Sequence, residues 1–286
     1  MKDPVRLLGR TQTLGIGENV DEETRVRRAN TFDEIADLYD RGRREWPEQL
    51  FDDLFEHADM DPMGAKVLEI GCGTGQATAP LARRGCWLTC AEMGSNLARI
   101  ARRKLTQFPR VTIINSRFED LNLAGARFDM VFAASSWHWI DPEVRYQKAA
   151  SLLRPGGVLA FTFVVHAFPP DFDPFFTEIQ KAYEAIGQSW EGSWPPPPPD
   201  EMPDQREDIE SSCYFEDIRV ARHVWTTDFT ADQHVALMNT ASDHRLMDSA
   251  KREYLFSEMR RLHAARPGGI VRKHELMILH VARKKS

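Results

Sequence analysis

Val67-Leu68-Glu69-Ile70-Gly71-Cys72-Gly73-Thr74-Gly75-Gln76 reads as a buried strand that breaks into a glycine turn and opens a helix. Aliphatic and branched residues around a single acid suit a strand covered on both faces. Gly71, Gly73 and Gly75 remove Cβ atoms where the chain must turn sharply and let backbone approach a ligand. The stretch therefore predicts a nucleotide-handling turn at the carboxyl end of a parallel strand. Its spacing is G-x-G-x-G, whereas dinucleotide enzymes carry G-x-G-x-x-G and seat a pyrophosphate on the helix N-terminus. Glu69, read as lying at the end of the strand, sets a fixed negative charge where a pyrophosphate would be repelled and an ammonium-bearing ligand favoured.

Working outward, Trp87-Leu88-Thr89-Cys90-Ala91 forms a second strand ending in Glu92, and a helix rich in Arg and Leu follows from about Ser95. This is a βαβ unit. An acid at the end of its second strand accepts hydrogen bonds from ribose hydroxyls, so Glu92 is the expected ribose ligand; a solvated carboxylate capping the next helix is the plainer alternative.

The run Glu69-Ile70-Gly71-Cys72-Gly73-Thr74-Gly75, with that acid downstream, resembles the class I S-adenosylmethionine-dependent methyltransferases. Three further stretches resemble the same fold in the right order. Val111-Thr112-Ile113-Ile114-Asn115-Ser116-Arg117-Phe118-Glu119-Asp120 is similar to the third strand and the turn that cups adenine. Phe128 to Ala134 is similar to the fourth strand, and Leu152 to Phe161 to the helix end, turn and fifth strand. More narrowly, Phe32 to Arg43 with Trp46-Pro47, and Ser136-Trp137-His138-Trp139-Ile140-Asp141-Pro142, resemble the small-molecule branch that includes trans-aconitate-methyltransferase-like enzymes. That branch usually has Tyr-Pro where Trp46-Pro47 stands, which implies a bulkier rim. Near Ser116 an acidic residue is missing, leaving the adenine amino group to Glu119 or to backbone.

The resemblance implies an α/β, Rossmann-like class I methyltransferase fold: a seven-stranded, mostly parallel sheet with helices on both faces and an α-helical substrate cover. It implies S-adenosyl-L-methionine as cofactor and S-adenosyl-L-homocysteine as product. The residues it assigns to the cofactor are Glu69, Gly71, Cys72, Gly73, Gly75, Glu92, Met93, Arg117, Phe118, Glu119 and Ala133, with Tyr39 and Arg43 toward the methionine end. Trp137, Trp139 and Phe32 are the expected substrate-binding residues, although an aromatic at a strand end commonly serves packing alone. His138 is the candidate catalytic residue, because a free imidazole suits a general base at neutral pH. A histidine between two tryptophans also recurs in the branch across different substrates, which points to shaping the pocket, and both readings stand at this point.

Length and pattern divide the chain into a mobile N-terminal arm (1–28), a cofactor-binding core with N-terminal helices (29–163), an acidic cover insertion rich in proline and aromatics (164–214), and C-terminal strands and cover helices (215–286). Thr31, with Glu34 three residues on, is expected to cap a helix. Residues 165–217 hold thirteen acids against two bases, a face that disfavours nucleic acid. It either keeps a loop soluble or attracts a cationic or neutral substrate. Trp194 followed by five prolines reads as an extended spacer in preference to an SH3-type ligand.

Four cysteines without C-x-x-C spacing read as reduced thiols in a cytoplasmic protein, and no apolar run approaches a membrane span. The histidines lack the spacing of a metal site. The expected partner is a small-molecule acceptor, methylated at O, N or C and including secondary metabolites in its range, and the chain is expected to be a monomer or homodimer without nucleic acid or membrane. The competing readings are a catalytically silent S-adenosylmethionine-binding regulator or scaffold, a protein or nucleic-acid methyltransferase, and a nicotinamide dehydrogenase.

Overall fold

The computed structural model describes residues 22–285 apart from 124 and 191. Most of the expected N-terminal arm, residues 1–21, lies outside the described residues. Helices α1 (Glu22–Glu34), α2 (Ala36–Gly42) and α3 (Glu48–Ala58) precede the first strand. Thr31 does not start a helix: it is buried within α1, and the break comes at Ile35, whose φ of −116° and ψ of 27° interrupt the helical path before α2. In α3 the buried residues Leu50, Phe51, Leu54, Phe55 and Ala58 recur three and four apart, placing them on one face.

The sheet contains β1 (Lys66–Ile70), β2 (Trp87–Glu92), β3 (Val111–Asn115), β4 (Phe128–Ala134), β5 (Leu153–Ala167), β6 (Phe215–Phe229) and β7 (Val271–Lys284), in the order β3-β2-β1-β4-β5-β7-β6. β1 pairs in parallel with β2, with Glu69 opposite Cys90, and in parallel with β4, with Glu69 opposite Phe132. β2 with β3 and β4 with β5 are also parallel. This is the expected seven-stranded, mostly parallel α/β sheet. Strand order reverses at the β1–β4 pair, and in open parallel sheets ligands bind outside the carboxyl ends of the strands at such a switch. Helices α4 (Thr78–Arg83), α5 (Ser95–Lys104) and α6 (Arg145–Leu152) make the crossovers. The core on one side gathers Leu68, Ile70, Val131, Leu159, Phe161 and Trp137.

The chain divides into two compact units. Among the described residues, one comprises 32–163, 204–221 and 278–285; the other comprises 22–31, 164–203 and 222–277. The first, here the sheet unit, includes α9 (Arg206–Ser211). The second, the helical unit, holds α7 (Phe175–Glu178), α8 (Gln180–Ala185), α10 (Ala231–Met238), α11 (Ser242–Leu246) and α12 (Ser249–Ala264). Its own apolar cluster is built from Phe175, Ile179, Tyr183, Leu255, Met259 and their neighbours. Residues 174–186 form two short helices meeting at Ile179. Thr230 closes a capping box with Gln233 at the start of α10, and Asp248 caps α12 by accepting from the amides of Ala250 and Lys251. The proline run is anchored where it begins: the Trp194 indole packs on Phe168 and donates to Thr177 Oγ1 at 3.1 Å. No helix among the described residues is long and apolar enough to cross a membrane.

Candidate functional site

The glycine turn leaves β1 with φ of +66° at Gly71, +58° at Gly73 and +95° at Gly75, backbone angles that glycine adopts without a Cβ penalty. Gly71 is needed twice over, since a Cβ there would lie 2.5 Å from the Cβ of Ser136. Ser136, just beyond β4, reaches across the switch point and donates its hydroxyl to the Ile70 carbonyl. The turn is thus fastened to the end of β4 by close approach and a hydrogen bond. A Cβ on Gly73 would meet Tyr39 Cε1 at 3.5 Å, which places the Tyr39 ring beside the turn.

Glu92 ends β2 and is 4% exposed. Its Oε2 accepts from the Gly73 amide at 2.8 Å and its Oε1 from the Gly94 amide at 2.8 Å. Burial pushes the carboxyl up, and the two amides pull it back toward the ionised form. With one amide on each oxygen, each keeps a further lone pair. Asn115 holds the turn that follows, donating to the carbonyls of Glu92 at 2.8 Å and Met93 at 2.9 Å.

Glu69 lies near the carboxyl end of β1, as read, but it is buried there. Ile70, not Glu69, is the last residue of β1; Glu69 is 1% exposed, and Cys90 Sγ lies 3.6 Å from its Oε2. Burial raises its pKa to about 7, against the opposing contact with Cys90. It is a strand-interior acid bound to protein groups, so a charge exposed at the mouth is not what the position offers. Cys72 is buried, and its thiol is held well above the usual range by its bond with Cys90 and by burial, leaving backbone as what it can present.

Phe32, Tyr39 and Trp139 come together: Phe32 is edge-on to Tyr39 at 5.7 Å and to Trp139 at 5.9 Å, and the Arg43 guanidinium lies 5.6 Å over the Tyr39 ring. Trp137 does not join them. It is 2% exposed, stacks on Phe161 at 5.2 Å with 9° between planes, and belongs to the sheet core, which corrects its assignment to substrate. Ala133 and the Phe118 side chain are likewise core, with Ala133 paired to Phe161 inside the sheet. Glu119 is committed to protein: its Oε1 accepts from the Asp141 amide at 3.1 Å and lies 3.5 Å from Arg117. His138 has its Nε2 buried without a partner among the described residues, and burial together with Arg145 lowers its pKa to about 3. The free-imidazole argument for a base at this position therefore does not hold in the folded chain.

Three residues outside the sequence assignments shape the site. Ser136 locks the turn; Asn115 fixes the segment after β2; Asp33 Oδ1 accepts from the amides of Asn96 at 2.7 Å and Leu97 at 3.0 Å, capping α5 from a distant part of the chain. All three lie inside stretches that attracted attention in the sequence, but their partners are far away in it.

A family described as a methyltransferase domain matches residues 68–161. Among curated proteins, an uncharacterised methyltransferase of Mycobacterium bovis is 29% identical over 133 residues, covering 46% of this chain and 51% of that protein. Trans-aconitate 2-methyltransferase of Deinococcus radiodurans is 35% identical over 99 residues, covering 34% and 36%. The chain spans about half or less of the length of these relatives. Among solved structures, a protein of Anaeromyxobacter dehalogenans assigned as a type II methyltransferase superposes with a TM-score of 0.58 at 20% identity, covering 84% of this chain and 97% of that one. Phosphoethanolamine N-methyltransferase 2 of Haemonchus contortus, solved in complex with S-adenosyl-L-methionine, gives 0.52 at 17% identity, covering 93% and 60%.

Proposed function

We propose that this chain, which carries a methyltransferase domain at residues 68–161 within the class I methyltransferase fold, is an S-adenosylmethionine-dependent methyltransferase acting on a small molecule. The observation that carries the reading is Glu92. A buried carboxylate with each oxygen tied to one backbone amide, and one lone pair left on each, fits two adjacent hydroxyls of a ribose. The turn that supplies one of those amides is the one that glycine leaves open for a ligand backbone-close. When bound, S-adenosylmethionine supplies an activated methyl group to an O, N or C nucleophile in line with its sulfur.

The chain's own contribution is then to hold, orient and desolvate. Glu92 fixes the ribose, and Asn115 and Ser136 keep the two turns that frame it in place. Met93, half-buried after Glu92, lies where a flat base would pack. Phe32, Tyr39 and Trp139 present an aromatic group beside Gly73 that excludes water and can favour a cationic ligand by about 1 kcal/mol for each face in contact. Positioning supplies most of the rate in such a displacement, so a strongly basic side chain is not required. His138, neutral and enclosed, shapes the wall next to Trp139 at 4.6 Å between ring centres.

Calorimetric titration of the purified chain with S-adenosylmethionine, S-adenosylhomocysteine and NAD tests this reading. Saturable binding of the two adenosyl ligands, lost in Glu92→Ala, with NAD silent, is expected. Tighter binding of NAD would overturn it, and adenosyl binding without turnover of any acceptor would leave a silent binding protein.

A further inference from the structure

The helical unit contains an open-mouthed recess with about 40 Å³ of free space, which none of the residues assigned to the cofactor lines. Phe175, Phe176, Ile179, Tyr183 and Met259 make its walls apolar and largely aromatic. Three polar side chains enter it: His166 from β5, His234 from α10 and Lys273 from β7.

The protonation of His234 is set from behind. The Gly269 carbonyl can only accept, so His263 donates to it from Nδ1, at 3.1 Å. A neutral His263 then has a bare Nε2, and His234 donates to that lone pair from its own Nδ1, at 3.1 Å. Both rings stay neutral, because burial holds them below the usual imidazole range and Lys273 adds to the effect on His234. His234 is therefore left with Nε2 as an acceptor, on a side chain that lines the recess. The His166 Nε2 is buried with no partner among the described residues, its ring set against Phe168 at 4.1 Å and Phe176 at 4.2 Å. Lys273 is 3.0 Å from Glu275 Oε1, which neutralises it in part.

These groups select a ligand by chemistry. The walls want a flat apolar body, and the His234 lone pair wants a donor. A carboxylate would set its own lone pairs against that acceptor, and an ammonium would face Lys273. A hydroxyl on an aromatic ring meets both needs, and the lysine favours the partial negative charge that builds on a phenolic oxygen when its proton is shared.

We propose that this recess binds a phenol, its O–H donated to His234 Nε2 and its ring against the aromatic walls. The binding claim stands by itself and does not depend on the methyltransferase reading.

Calorimetry on the full chain without cofactor tests it, using p-cresol, 4-methylanisole and p-toluate, which share one body and differ only in the polar group. At pH 7.5 p-cresol is neutral, since a phenol titrates near pH 10. Expected is one-to-one binding of p-cresol, at least tenfold tighter than either of the others. In His234→Phe the preference for p-cresol over 4-methylanisole should fall to within threefold, and Met238→Trp, which fills the recess from its half-buried rim, should abolish both. Equal binding of p-cresol and 4-methylanisole to the unaltered chain would overturn the proposal in favour of a merely apolar pocket, and tighter binding of p-toluate in favour of an anion site on Lys273. No binding of any of the three would also overturn it. Because the ligand series is read on the unaltered chain, the proposal stays testable even if His234→Phe fails to fold. S-adenosylhomocysteine titrated in the same samples separates the two readings: its binding without p-cresol sinks the recess alone, and p-cresol binding without it sinks the methyltransferase reading alone.

Discussion

The carboxylate of Glu92 and the imidazole of His234 are both buried polar groups held for a ligand, yet they are held by different chemistry. Glu92 is gripped by two peptide amides, which carry no titratable proton. His234 is oriented by a second imidazole, itself oriented by the Gly269 carbonyl. The first arrangement is written into one glycine turn and the residue after it. The second needs three segments of chain, around residues 234, 263 and 269, to arrive together. The difference teaches that in a backbone-held site the partners are local in sequence and carry no proton to lose, leaving only the Glu92 carboxylate itself to titrate, whereas in a histidine relay the partners are distant and every member titrates.

Acid breaks that comparison most strongly. His166 and His234 are held well below the usual imidazole range by burial, and His263 is lowered as well. The unfolded chain takes up protons on these rings as pH falls below about 6.5, and the folded chain does not. Each therefore withdraws stability from the folded state at about 1.4 kcal/mol per pH unit, downward from pH 6.5 to its own folded pKa. In the sheet unit the signs oppose. Glu69, raised to about 7, binds its proton in the folded chain first, so its contribution is full below the unfolded carboxyl value and is lost as pH rises through 7. His138, lowered to about 3, acts in the other direction over an overlapping range. Hydrogen exchange followed from pH 7 to pH 5 should show α10 and α12 losing protection well before β1 and β4. Equal loss in both would show that the histidines are not kept neutral.

Next in size is Gly71→Ala. A residue with a side chain at φ of +66° costs about 1–2 kcal/mol, and the new Cβ, 2.5 Å from Ser136 Cβ, adds the cost of overpacking. Denaturant titration should find a loss of about 2–4 kcal/mol. Adding Ser136→Gly should return the crowding part and leave the backbone part; no recovery would mean that close approach to β4 is not what demands glycine. Glu92→Ala follows. Removal of two hydrogen bonds to a charged acceptor predicts a loss of adenosyl-ligand affinity on the order of 100-fold, with little effect on ligand binding in the His234 recess.

The sequence made one of these regions far more readable than the other. Gly71, Gly73, Gly75 and Glu92 were legible because their roles depend on neighbours within a few residues and on one repeating βαβ geometry. Glu69 was legible as lying near the carboxyl end of β1, but not that Cys90 and the neighbouring strands bury it, which takes its charge away from the mouth. Trp137 looked like its neighbour Trp139, and only the packing of Phe161 and Tyr146 around it tells that it faces the core. His138 was judged by its free pKa, which burial overrides. In the helical unit the histidines seemed scattered, since nothing local links 234 to 263; the relay exists only once α10 and α12 pack together.

The smallest of the expected effects contrasts two helix caps. Asp248 caps α12 from the adjacent position, accepting from Ala250 at 2.9 Å and Lys251 at 3.3 Å. Asp33 caps α5 from sixty-three residues away in sequence, accepting from Asn96 at 2.7 Å and Leu97 at 3.0 Å. Either carboxylate replaced by alanine should cost about 1 kcal/mol, the usual worth of a cap. The consequences should differ. Asp248→Ala unties only the start of its own helix, so adenosyl binding should stay unchanged. Asp33→Ala also releases the segment carrying Phe32 and Tyr39 from the turn at Gly94 that holds Glu92, since Asp33 Oδ1 would lie 2.6 Å from a Cβ on Gly94. Calorimetric titration with S-adenosylhomocysteine should therefore find binding weakened several-fold in Asp33→Ala and not in Asp248→Ala. If both variants bind as tightly as the unaltered chain, the remote cap contributes stability to α5 and nothing to the positioning of Glu92.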